Sequence, residues 1–258
     1  MEKISIQICT YNRADLIENA VKSVLAQTYI NWEILILDDN SKDNTEEIVK
    51  KYLSDSRIRY IKNEHNLGIA KNRNKGLNLS TGKYIAVLDS DDLWIDNKKL
   101  EKQIDFIENN PEYHLVGTNF NIINAENVVL KTVHNLTKND DIKNKMLIKN
   151  NFCHSSVLFN RLTALNAKGY DEQLNLAEDY DLYLKIGIKH KICNLIDIST
   201  SYRIHNNQSY TNKTKLGYKI QKSLITKYRK YYSHYYFAII FNNLRYIRNL
   251  TSRYVRQK

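Results

Sequence analysis

The apolar residues of this chain change period again and again, and those changes mark out its elements. Lys3 to Cys9 alternates and is β-branched, after which Leu16, Ile17, Ala20, Val21, Val24 and Leu25 recur at helical spacing. Glu33 to Asp38 and Ile58 to Lys62 read as buried strands, Asn44 to Leu53 and Ile69 to Leu79 as helices, and Tyr84 to Leu88 as a fourth strand. Strands alternating with helices at this spacing predict βαβ units and a mostly parallel sheet flanked by helices, with ligands at the carboxyl ends of the strands.

Beyond Lys98 to Asn109, a predicted helix, the alternation weakens. His114 to Ile123, Val128 to Val133, Ser155 to Phe159 and Ile192 to Ile198 read as strands, and Asp140 to Lys149 and Glu178 to Ile188 as helices. The pattern predicts one catalytic domain over 1–212, divided into a ligand-binding half at 1–97 and an acceptor half at 98–212, followed by a basic aromatic helical tail at 213–258.

Polar clusters fall where three of the first four strands end. They are Thr10-Tyr11-Asn12-Arg13, Asp38-Asp39-Asn40-Ser41 and Asp89-Ser90-Asp91-Asp92. Among the seven glycines no two stand in a GxG pattern, so the phosphate grip of a dinucleotide-binding or P-loop enzyme is missing. A nucleotide diphosphate would then need its charge met by a divalent metal on carboxylates, and hard oxygen ligands suit Mg²⁺ or Mn²⁺.

Charge is unevenly placed. The net charge of +11 lies in the tail, because Lys213 to Lys258 carries 12 Lys or Arg and no Asp or Glu, leaving 27 basic and 28 acidic residues before it. Three cysteines, Cys9, Cys153 and Cys193, form no CxxC pair, which points to a reducing, cytoplasmic setting rather than a disulfide framework or zinc site. No apolar run reaches 18 residues and no signal-peptide core opens the sequence, so no membrane-crossing segment is expected.

Several motifs together resemble glycosyltransferase family 2. They are Cys9-Thr10-Tyr11-Asn12-Arg13, Asp38-Asp39-Asn40-Ser41, Asn66-Leu67-Gly68-Ile69-Ala70-Lys71-Asn72-Arg73-Asn74, Gly82 through Asp92, and Ala177-Glu178-Asp179-Tyr180-Asp181, in a resemblance spanning Lys3 to about His205. It implies a GT-A fold binding a UDP-type or similar sugar nucleotide. By that likeness Thr10, Tyr11 and Arg13 line the nucleotide pocket with Ser90 beside them, Asp39 accepts a hydrogen bond from the base, Arg73 supports the nucleotide side, Asp89 contacts the ribose and Asp91 ligates Mn²⁺ or Mg²⁺. Read singly, Ser41 serves equally as a helix N-cap and Arg73 as a solvated helix residue.

Transfer with inversion needs a carboxylate that takes the acceptor hydroxyl proton, and the resemblance assigns that to Asp179. With a metal stabilising the departing diphosphate, no separate acid is required. His205, in Tyr202-Arg203-Ile204-His205, matches a segment whose histidine approaches the metal or diphosphate, while His154-Ser155-Ser156 and Trp94 match positions near the sugar or acceptor. Trp94 serves as well in a core.

The expected partners are a nucleotide-sugar donor and a saccharide or lipid-linked acceptor, in synthesis of a cell-surface polysaccharide or glycolipid. The basic, Tyr-rich tail fits an anionic membrane surface, a helix pair packed on the domain, or a dimer contact. A nucleic-acid-binding protein using that tail is the main alternative, weakened by the near-neutral body. A nucleotidyltransferase is another, and it would normally carry a glycine-rich loop.

Overall fold

The computed structural model describes residues 1–204 and 214–256, with the side chains of 214 and 250–256 left aside. Nine strands and nine helices are found among them. The strands are β1 (Ile4–Thr10), β2 (Trp32–Asp38), β3 (Ile58–Lys62), β4 (Tyr84–Val87), β5 (Leu93–Trp94), β6 (Tyr113–Ile123), β7 (Val129–Val133), β8 (Leu158–Asn160) and β9 (Lys191–Arg203). The helices are α1 (Ile17–Leu25), α2 (Thr45–Lys50), α3 (Ile69–Leu79), α4 (Lys99–Asn109), α5 (Asn139–Lys145), α6 (Arg161–Asn166), α7 (Glu178–Lys189), α8 (Thr214–Tyr228) and α9 (Tyr235–Arg256).

All nine strands join one sheet in the order β3-β2-β1-β4-β8-β6-β9-β5, with β7 pairing β6 further along. The β1, β2, β3 and β4 neighbours run parallel, as does the long β6–β9 pair. Antiparallel pairing enters at β8, β5 and β7. The result is a mixed α/β fold with a mostly parallel sheet.

Every residue of β1 and β2 is buried, which explains their near-continuous apolar runs. On one face Ile4, Ile6, Ile8, Ile34 and Ile36 pack against α1, α2 and α4. On the other, Ile85, Val87 and Leu115 pack against α3, α5, α6, α7 and α8. Each such Ile or Leu stabilises the fold by roughly 1.5–3 kcal/mol. Gly82 admits β4 to the sheet, since a Cβ there would lie 2.6 Å from Ser5 N and 2.7 Å from Lys3 O.

The second half departs from the sequence reading in detail. Ser155 to Phe159 is no continuous strand: a 3₁₀ turn at His154–Ser156 precedes β8. The predicted strand Ile192 to Ile198 extends to Arg203, because its polar end is buried between β6 and β5 and Ser199 Oγ meets Thr118 Oγ1 at 2.6 Å. Expected helices shorten at α2 and α5, and α6 and β5 were not anticipated.

The tail forms a hairpin of α8 and α9 that packs on the domain. Leu224, Ile225, Tyr228, Tyr232 and Ala238 enter the same core as α7, and Tyr218 stacks on Tyr246 at 4.4 Å.

Candidate active site

The carboxyl ends of β1, β2 and β4 open into a cleft of about 1070 Å³. Short loops there are cross-braced, which fixes them before any ligand arrives. Asn12 N donates to Ser41 Oγ (2.9 Å), Lys42 N to Asn12 Oδ1 (2.8 Å) and Ala14 N to Asp43 Oδ2 (3.0 Å). Asn12 and Asn40 hold left-handed backbone, φ 52° and 69°, a conformation asparagine tolerates better than most residues. Ser41 therefore braces the first loop and caps no helix; the residue before α2 is Asn44.

Asp39 is buried in the wall, where Oδ1 accepts from Asn63 Nδ2 (2.9 Å) and Leu67 N (2.7 Å), and Oδ2 from Gly68 N (2.9 Å). A carboxylate offers about four acceptor sites, so Oδ2 retains capacity for another donor. Tyr11 stands exposed at the rim, while Thr10 and Ser90 are buried.

Arg73 is neither solvated nor free to swing. Buried on α3, it donates Nη2 to Asp89 Oδ1 (2.8 Å) and Nη1 to Glu178 Oε1, and its guanidinium lies 5.8 Å from the Tyr170 ring centroid. Burial is the largest influence and would raise the Asp89 carboxyl, but the Arg73 charge and hydrogen bond, with His154 acting the same way, together hold Asp89 below the ordinary carboxylate range. The same cation ties the β4 loop to the first turn of α7. Ala177, before that turn, is left-handed with φ 61°, which costs about 1–2 kcal/mol for a residue with a Cβ.

Asp179 follows Glu178 into the cleft, 3.4 Å from Asn150 Nδ2. Withdrawal from water and the neighbouring Glu178 carboxylate push it up to about 7, with Arg73 pulling the other way. Burial, with Asp91 and Asp89 adding to it, raises Asp92 well above its ordinary value. Asp92 faces inward, accepting from Ser155 Oγ and from Arg203 N (2.8 Å).

Asp91 lines the cleft with its side chain about one-fifth exposed, Oδ2 lying 3.8 Å from Arg13 Nε. Among the described residues no group of three or more His, Cys, Asp or Glu converges on one point. The described residues thus form no all-protein metal cage, but a Mg²⁺-like ion held mostly by phosphates and water needs only one or two carboxylates, and Asp91 fits that demand.

Thr10, Tyr11, Arg13, Asp39, Arg73, Asp89, Ser90, Asp91 and Asp179 accordingly line one cleft. His205 lies outside the described residues. His154 reaches the cleft wall, held through Nδ1 by Tyr183 Oη and driven down to about 3 by burial and Arg73, so it is neutral. Trp94 does not reach the cleft; it is a core residue whose Nε1 donates to Ser155 O at 2.7 Å. Ser156 is likewise internal, bonded to Cys153 O.

Arg203 went unread in the sequence. Fully buried, it donates Nε to Asp91 O (2.8 Å) and Nη1 to Asn124 O and Ala125 O (both 3.0 Å), pinning the acidic turn from behind. Its position beside Tyr202 in the last resembling segment was the available signal.

Comparison with known proteins accords with this cleft. Residues 5–167 match the model of glycosyl transferase family 2. The chain is 37% identical over 217 residues to the Escherichia coli UDP-Glc:alpha-D-GlcNAc-diphosphoundecaprenol beta-1,3-glucosyltransferase WfgD, covering 82% of this chain and 81% of that one. It is 32% identical to the putative teichuronic acid biosynthesis glycosyltransferase TuaG of Bacillus subtilis, covering 84% of each. Among solved structures, S. aureus TarS 1-349 in complex with UDP-GlcNAc superposes with a TM-score of 0.71 at 20% identity, covering 87% of this chain and 66% of that one. The Pyrobaculum calidifontis mannosyltransferase PcManGT, in complex with GDP-Man and Mn²⁺, gives 0.69 at 15%, covering 93% and 73%. These two neighbours share the GT-A plan that the family resemblance implied. With the family model spanning well over half of its length, the chain belongs to glycosyl transferase family 2.

Proposed function

We propose that the chain is an inverting glycosyltransferase that moves a hexose or similar sugar from a UDP-sugar to a saccharide or lipid-linked acceptor, in synthesis of a cell-surface polysaccharide or glycolipid at the cytoplasmic side of a membrane. The observation that carries this reading is the convergence of Asp39, Asp91 and Asp179 on one cleft at the strand ends. The relatives WfgD and TuaG support the choice of donor and product class.

In this reading the spare capacity of Asp39 Oδ2 accepts from the base N–H, Tyr11 covers the base, and Thr10, Arg13 and Ser90 border the diphosphate. Asp89, held ionised by Arg73, accepts from the ribose hydroxyls. Asp91 would hold Mn²⁺ or Mg²⁺, and His205 would approach it; the ion's contribution is to stabilise charge on the departing diphosphate. Asp179, ionised above about pH 7, removes the acceptor hydroxyl proton as the acceptor oxygen attacks the anomeric carbon.

The test is a binding panel of UDP-, GDP-, CDP- and dTDP-sugars, each with and without Mn²⁺, on wild type and Asp91→Ala. Mn²⁺-dependent preference for a UDP-sugar, lost in Asp91→Ala, is expected. Preference for another base would overturn the donor assignment, and equal binding without metal would overturn the role of Asp91.

A further inference from the structure

We infer that the outward face of α9 is a docking surface for an anionic phospholipid bilayer. The helix is two-sided. Ala238 and Asn242 are buried and Tyr235 and Ile239 half-buried against the domain and α8, so its inner side is already occupied. On the outer side Tyr236, Phe237, Ile240, Phe241, Leu244 and Ile247 are all exposed, Tyr236 to 80%. Their spacing at three and four residues gathers them on one continuous arc. Isolated exposed apolar side chains need no explanation, whereas a contiguous row of six marks a contact surface.

Three properties select the occupant. The region from Lys213 onward contains no acidic residue, and exposed Arg229 and Lys230 stand in the turn between α8 and α9, so the hairpin that carries the apolar row brings only positive charge, which an anionic surface complements. A second copy would bring the same positive rim against it. Half of the row is aliphatic, and Ile240, Leu244 and Ile247 give nucleic-acid bases no ring to stack on, while all six suit the boundary between headgroups and acyl chains. No helix among the described residues is long and apolar enough to cross a membrane, so α9 would lie on the bilayer.

The same hairpin reaches the cleft, because Leu216 of α8 is among its lining residues. Tyr246 of α9 stacks on Tyr218 two residues further along α8, which ties the docking helix to the element that borders the active site. This deepens the lipid-linked acceptor reading and rests on it only for the purpose of docking, since binding itself can be measured without any acceptor.

The experiment is flotation of the full chain with vesicles of phosphatidylcholine alone or mixed with phosphatidylglycerol. Wild type should float with the anionic vesicles and release them as salt rises, with about tenfold weaker partition onto neutral ones. The triple variant Phe237→Ser, Ile240→Ser, Leu244→Ser should lose at least about tenfold in partition while melting temperature and donor hydrolysis stay at wild-type values. Arg229→Glu with Lys230→Glu should lose binding to anionic vesicles only. Undiminished flotation of the triple variant would overturn the inference, as would a wild type that ignores vesicles but dimerises through a contact the triple variant abolishes. Intact flotation without transfer to any lipid-linked acceptor would instead refute the acceptor reading and leave the docking surface standing.

Discussion

The two walls of the cleft are built by different means. The wall made by the loops after β1 and β2 is held by many hydrogen bonds between the loops of consecutive strands, such as Asn12 N to Ser41 Oγ, Arg13 N to Thr45 Oγ1 and Gly68 N to Asp39 Oδ2. The wall carrying Asp179 hangs on buried charge: Arg73 grips Glu178 on one side of the first turn of α7, and Lys227 and Tyr228 grip Asp181 on the other. Losing one bond of a mesh costs about 1 kcal/mol, whereas losing one member of a buried ion pair strands its partner and costs about 3–5 kcal/mol. The wall proposed to hold the nucleotide should therefore tolerate single substitutions that the wall proposed to carry the base does not.

The largest effect should come from Asp179→Asn. Removing a general base lowers kcat by roughly 10²- to 10⁴-fold, and the mesh-held wall should keep donor affinity within about twofold. In wild type, kcat/KM should climb with pH and level off above about 7, where Asp179 is ionised. Stability runs the other way: the carboxyl loses its proton near 4 in the unfolded chain and near 7 in the fold, so the fold loses stability between those values. Asparagine escapes that cost, so the variant should melt above wild type at pH 8, with the advantage fading toward pH 4. Wild-type turnover in Asp179→Asn would remove the base from this wall altogether.

Next in size is a matched pair of substitutions read by urea denaturation. Arg73→Met leaves buried Glu178 and half-buried Asp89 without their cation and should cost about 3–5 kcal/mol. Asp43→Ala, which loses the bonds to Ala14 N and to Thr45, should cost about 1 kcal/mol, much like the loss of a helix cap. Equal costs would erase the distinction between the walls.

The same contrast explains what could be read in advance. The first wall was legible because its residues sit on consecutive strand-loop-helix units, where a polar cluster after a buried strand is visible as a local pattern. The clusters that contain Asp39 and Asp91 are visible that way, while the roles expected of them come from the resemblance. The second wall depends on partners distant in sequence: Arg73 meets Glu178 across 105 residues and Tyr228 meets Asp181 across 47. No periodicity announces such a pair, and Arg73 was as easily taken for a solvated helix residue. Ser41 is ambiguous for the opposite reason, since a serine near a helix start suits a cap or a ligand contact on local grounds, while a neighbouring loop claims its hydroxyl. Asp179 came from the resemblance to a motif and not from spacing.

The smallest effect tests how far the charge-held wall extends. Tyr228 is buried on α8 and donates its hydroxyl to Asp181 Oδ1 at 2.7 Å, an oxygen that Lys227 also contacts at 2.8 Å, while Lys185 approaches Oδ2 at 2.8 Å. Tyr228→Phe keeps the ring in the core and leaves two cations on the carboxylate, so its cost should stay near the value of one hydrogen bond, about 1 kcal/mol. Turnover should hardly change, because Asp179 is positioned from the far side of the turn by Arg73 and Glu178. Should kcat instead fall more than about threefold, which is under 1 kcal/mol of barrier, the helical hairpin would be acting on the base through α7, and the boundary of the catalytic wall would have to be drawn to include the tail.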